Sequence, residues 1–294
     1  MTIAACYLSS EGLVLGADST ASFQFPDGLH YLNHAQKVFE IGENSTFGMV
    51  VWGLGGLRDT SHRTLVAQLA DALALSAPVS VTEVMDRWIG LFWASYTAEL
   101  SASITRAKAL EGMPPHDPVN LVAGARSKDE EDEFQQLSMG LAVGFCIGGY
   151  VLPGRIPEAL SVVFTPLGPK PTPTLVAMEN YGFWGAPNMV SRLLHGSDPR
   201  LRDAILSSPQ WIGTEIELDA ILARFVFGHL RMPIRDAIDF VYSYIFSTIK
   251  AFKFSSMSQI CGGPIELAVI RTDRPFHWVK HKPWHAALVE GSNG

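Results

Sequence analysis

The chain has 294 residues, of which 47% are apolar and only 17% charged, and its formal net charge is −7. A sizeable core is therefore within reach, while the lack of any basic run argues against nucleic acid as a partner, since phosphate binding needs clustered Lys and Arg. Cys6, Cys146 and Cys261 are too few and too scattered for a disulfide framework or a zinc site, and they suit a reducing compartment.

No apolar run reaches the roughly 18 residues of a membrane span, and the N-terminus carries no basic leader region. A cytoplasmic protein with no membrane partner is expected. No linker-like stretch divides the chain, so a single domain over residues 1–294 is expected.

Thr2 follows the initiator Met1 and opens an apolar strand that runs to Ser9. The turn Ser10-Glu11-Gly12 leads into a second strand ending at Gly16-Ala17-Asp18. Met1 is normally cleaved when the next residue is small, and its removal would leave Thr2 with a free amine beside a hydroxyl. That amine, with an ordinary pKa of about 7.7–8.0, can take the hydroxyl proton at neutral pH. Thr2 is equally a β-branched residue suited to starting a strand. A polar loop follows, then Gln36-Lys37-Val38, a strand over 46–52, and the turn Gly53-Leu54-Gly55-Gly56.

Apolar residues at helical spacing predict a helix over 57–75, through Leu65, Leu69 and Leu73, and a longer one over 82–110, through Met85, Ile89, Phe92 and Tyr96. Prolines and the acidic run Lys128–Glu133 break the pattern, so 112–136 reads as a solvated acidic insertion. Strands are predicted over 139–152, 159–165 and 174–179. Helices return at 187–194, 215–227 and 233–254, the last with Ile234, Ile238, Val241, Ile245 and Ile249 along one side. Pro233 fits its first turn, where a missing N–H costs nothing. A hairpin of 263–271 and 276–282 closes the chain. His277, His281 and His285 recur every four residues, but Pro275 and Pro283 rule out a helix that would gather them, so no metal is expected. Periodicity alone yields an α+β fold of several layers.

The ordered set of Thr2, Gly16-Ala17-Asp18, Lys37 before an apolar strand, and the glycine turn at Gly53 resembles the opening of a proteasome-type β-subunit, a branch of the N-terminal nucleophile hydrolases. The resemblance covers residues 2–57, with a fainter echo near the C-terminus. It implies a four-layer αββα sandwich of two antiparallel sheets, and a threonine peptidase acting on peptides or proteins without a cofactor. In that scheme Thr2 attacks the carbonyl, Lys37 lowers the hydroxyl pKa by its charge, and Asp18 orients Lys37; Asp18 and Lys37 would otherwise be an ordinary ion pair flanking two strands. Gly53 would supply the oxyanion donor. Ser19 and Thr20 would line the cleft, and Val51, with Met49 nearby, would sit at the base of an apolar pocket. A homo-oligomer, arranged as a ring, is the implied assembly.

Two departures oppose an active enzyme. Trp184 stands where the family has a serine between glycines, and Ser258 and Cys261 stand where it has an aspartate and a serine that support the amine. An inactive ring subunit and a small-molecule amidase of the same superfamily therefore remain open beside the peptidase.

Overall fold

The computed structural model describes residues 2–25, 28–118, 122–256, 258 and 260–282. Its frame is two five-stranded antiparallel sheets. The first runs in the order β10 (Asn180–Gly185), β1 (Ile3–Ser9), β2 (Gly12–Ala17), β11 (Glu266–Arg271), β12 (Arg274–Lys280). The second runs β5 (Val38–Glu40), β6 (Phe47–Gly53), β7 (Val143–Gly149), β8 (Glu158–Phe164), β9 (Thr174–Leu175).

Every residue of β1 is buried, which explains why its sequence is apolar throughout instead of alternating. Ile3, Ala5 and Tyr7 pack with Val241, Ile245 and Ile249 of a long helix, α8 (Ile234–Lys253). Ala4, Cys6 and Leu8 face the other way, onto Val50, Trp52 and Cys146 of the second sheet. On that sheet's far side, Phe145, Ile147 and Phe164 pack with α1 (His62–Leu75) and α2 (Val81–Glu99). The period of two thus sorts each central strand between two apolar surfaces.

Several elements differ from the sequence reading. The helix expected over 82–110 is two helices, because the chain turns at Leu100 (φ −104°, ψ 13°) and restarts as α3 (Ser101–Glu111). The segment read as an insertion contains α4 (Lys128–Gly140), capped by Ser127 with Glu130 in a reciprocal box. Asp129, Glu130 and Glu131 lie in its first turn, where the helix dipole favours them, and Arg106 pairs with Glu133 at 2.7 Å. The expected strand at 174–179 is strand only at β9, and β10, which the sequence reading did not expect, follows a left-handed backbone at Glu179 (φ 57°) and joins the other sheet. The polar loop after Asp18 holds a hairpin, β3 (Ala21–Phe25) with β4 (Gly28–Leu32). Short helices α5 (Asn188–His195), α6 (Pro199–Leu206) and α7 (Glu215–Leu222) precede α8, and α6 had no counterpart in the periodicity. Among the described residues, no helix is long and apolar enough to cross a membrane.

Candidate active site

Antiparallel pairing brings four strand ends of the first sheet together. Ile3 at the start of β1 pairs with Gly185 at the end of β10, while Ala17 at the end of β2 pairs with Glu266 at the start of β11. Residues adjoining these strand ends therefore converge although they lie far apart in sequence. Met1 is outside the described residues; Thr2, the first described residue, is buried.

Asp18 is the hub. It is fully buried, and four donors reach its two carboxylate oxygens. Oδ1 accepts from the Ile3 N–H at 3.1 Å and from Lys37 Nζ at 2.8 Å. Oδ2 accepts from the Thr20 N–H at 3.2 Å and the Gly262 N–H at 2.8 Å. A buried carboxylate needs this degree of compensation to be tolerated. The sharing of Oδ1 matters most: one oxygen holds both the Lys37 ammonium and the peptide that joins Thr2 to Ile3.

Lys37 is also buried, and its Nζ donates a second bond to the Thr20 carbonyl at 2.6 Å. Burial pushes its ammonium below the ordinary lysine range; the Asp18 charge and hydrogen bond oppose that, and the like charge of Lys282 adds to it. The Lys37 carbonyl accepts from the Val51 N–H at 2.9 Å, which ties the lysine to β6.

Gly53 ends β6 with φ +90°, a conformation that favours glycine, and a side chain there would collide with the Ala142 carbonyl. Gly185 (φ +84°) is required for a similar reason: a Cβ would strike the Thr2 carbonyl. Between these two glycines stand Trp52 and Trp184, one from each sheet, stacked at 4.7 Å with planes 6° apart. Gly144 and Gly182 make room for the indoles, since a Cβ at either would overlap one of them. Trp184, paired with Ala4 across the β1–β10 ladder, thus puts an indole stacked on Trp52 at the position expected for a serine.

Other expected site residues fall differently. Ser19 and Thr20 are buried and fastened, Ser19 through its N–H to the Gly262 carbonyl at 3.0 Å and Thr20 through its hydroxyl to Asn33 Oδ1 at 2.9 Å. Thr20 also braces Asp18 through its N–H. Val51 and Met49 point into the core against α1 and α2. Cys261 is buried near Asp18, and burial pushes its thiol up to about 12, leaving it protonated and a poor nucleophile. Ser258, by contrast, is exposed and outside the hydrogen-bonded hub.

Glu266 and Lys282 were missed. Glu266 is fully buried, with Lys282 Nζ at 3.2 Å and His281 Nδ1 at 2.9 Å from its Oε1. An acid inside the apolar run Pro264–Val269 was a usable signal, because such a residue is seldom buried without a partner. Nothing in the sequence marked Lys282 as that partner. Among the described residues, no group of three or more His, Cys, Asp or Glu is placed to hold a metal, and His285 lies outside them.

No protein-family model and no curated protein matches the chain. Among solved structures, an Anbu (Gly-1) mutant from Hyphomicrobium sp. strain MC1 is similar at 12% identity, with 100% of this chain and 98% of that chain covered and a TM-score of 0.45. At that level of overlap the likeness carries no weight for fold family or activity.

Proposed function

We propose that the chain is an N-terminal threonine hydrolase built as a four-layer αββα sandwich of the proteasome type, and that it cleaves peptide bonds in a peptide or protein substrate. The carrying observation is the Asp18 Oδ1 that receives both Lys37 Nζ at 2.8 Å and the Ile3 N–H at 3.1 Å. It keeps a buried cation beside the residue whose hydroxyl would attack. Once Met1 is removed, the Thr2 amine takes the hydroxyl proton as Oγ1 adds to the substrate carbonyl. The Gly53 N–H then donates to the resulting oxyanion, and Lys37 stabilises the negative charge electrostatically. The tetrahedral species collapses to an ester as the amine returns its proton to the leaving group, and water hydrolyses the ester. The same proposal includes a cytoplasmic setting and self-association of like subunits into a ring.

The stacked indoles favour a second reading, a small-molecule amidase, because Trp184 puts a large ring where the resemblance expects a serine and so would narrow a cleft at that end of β10. An inactive subunit is the third, supported by Trp184 and by the exposed Ser258. Intact-mass measurement combined with turnover separates the three. The peptidase reading expects loss of Met1, cleavage of fluorogenic peptides, and a drop of at least about 10³-fold in kcat/KM for Thr2→Ala. Cleavage of small amides alone supports the amidase, and retained Met1 without turnover supports the inactive subunit.

A further inference from the structure

Behind Lys37 lies a second ion pair that the proposed reaction does not use. Glu266 faces Ala17 across the β2–β11 ladder, and its Oε2 accepts a long bond from the Lys37 N–H at 3.5 Å. Its other oxygen pairs with Lys282, which lies just past the end of β12 with its side chain only 11% exposed. The Lys282 ammonium also donates to the Ala35 carbonyl at 2.8 Å and to Ser19 Oγ at 3.3 Å. Ala35 in turn donates its N–H to the Ser19 carbonyl at 2.9 Å. One ammonium therefore joins the residue after Asp18, the residue two before Lys37, and a buried acid at the start of β11.

The charges must balance locally. A buried carboxylate with no counter-charge either draws in the nearest cation or takes up a proton. Lys37 is a near cation, and it is already committed to Asp18. We propose that Lys282 is a positioning residue of this site, neutralising Glu266 so that Lys37 answers to Asp18 alone and pinning together the two segments that carry them. The charged and titratable groups around Lys37 are Asp18, Lys282 and the Cys261 thiol, with Glu266 at its backbone; those around Lys282 are Glu266, His281, Arg63 and Asp18. The field of Lys282 also lowers Lys37, as the smallest of the influences acting on it.

The catalytic consequence rests on the threonine reading, whereas the electrostatic one does not, so the test reads Lys37 directly. Its ε-carbon is followed by NMR during pH titration of the full chain labelled at lysine, with the signal assigned through Lys37→Arg. In Lys282→Met the Lys37 titration rises, because a like charge is lost and Glu266 is left facing it. In Glu266→Gln it falls, because Lys282 is left unbalanced. The double variant returns close to the wild type. Opposite signs in the two single variants are what a purely structural clamp does not produce, and either variant suffices if the other fails to fold. An unmoved Lys37 in a folded single variant overturns the proposal, as does loss of folding in both singles and the double alike. If wild-type chain cleaves peptides, the alkaline limb of kcat/KM moves in the same directions; if it does not, the threonine reading fails while the titration result stands.

Discussion

Helix α2 buries Trp88, Phe92 and Tyr96 completely against Phe145 and Phe164 of the second sheet, whereas α6 buries no residue and α7 buries only Leu218. The first region is a continuous aromatic cluster, with Phe92 4.7 Å from both Phe145 and Phe164. The second is held by end caps from Asp198 and Thr214 and by surface ion pairs, among them Arg202 to Asp219 at 2.8 Å. Ile212, Ile216 and Leu230 stay exposed there, each by 80% or more. Packing supplies most helical stability in proteins, and caps or exposed ion pairs contribute far less each. The two regions are therefore expected to respond to substitution on different scales.

The largest effect belongs to the aromatic cluster. Phe92→Ala leaves a cavity between α2 and the second sheet and costs about 3–5 kcal/mol, measured by urea unfolding at neutral pH. A change below about 1 kcal/mol would show that α2 is not the anchor described here.

Next comes His62, which sits in the same cluster 5.4 Å from the Phe145 ring, with burial pushing its pKa down to about 4. Because the folded pKa lies below the unfolded value of about 6.5, the unfolded chain takes up the proton first as pH falls. The neutral imidazole's stability is fully present above pH 6.5 and is lost progressively towards pH 4, by about 3 kcal/mol in all. His62→Phe removes that share of the pH slope, which paired unfolding curves at pH 7 and pH 4.5 would reveal.

The smallest stability effect is expected on the other side. Ile212→Ser together with Phe227→Ser alters stability by no more than about 0.5 kcal/mol, since both side chains already face solvent. Sedimentation velocity on the same double variant sharpens the contrast: if like subunits associate through this face, the variant sediments as the smaller species while its unfolding curve stays put.

Much of the site was legible because its parts lie at ends of strands with strong local signatures. Asp18 holds both Lys37 and the peptide N–H that follows Thr2, and the Gly53 backbone adopts a glycine-dependent turn. Val51 was misread because a strand alternates faces: Trp52 looks between the sheets, while Val51 looks at the helices. Of the acidic run, only its charge was read, although Ser127 and Glu130 are spaced as a helix start.

Local chemistry by itself marked the long helices α1, α2 and α8, the central strands, their buried apolar strips and a candidate nucleophile with its lysine, since each depends on neighbours a few residues away. Only tertiary structure decided that Glu266 and Lys282 stand behind Lys37, 229 positions separating Glu266 from that lysine, and that Trp184 stacks on Trp52 from the opposite sheet. The reason is physical: a buried charge or a facing ring takes its partner from whichever strand end the sheet order brings alongside, and the order of strands in space is not their order in the chain.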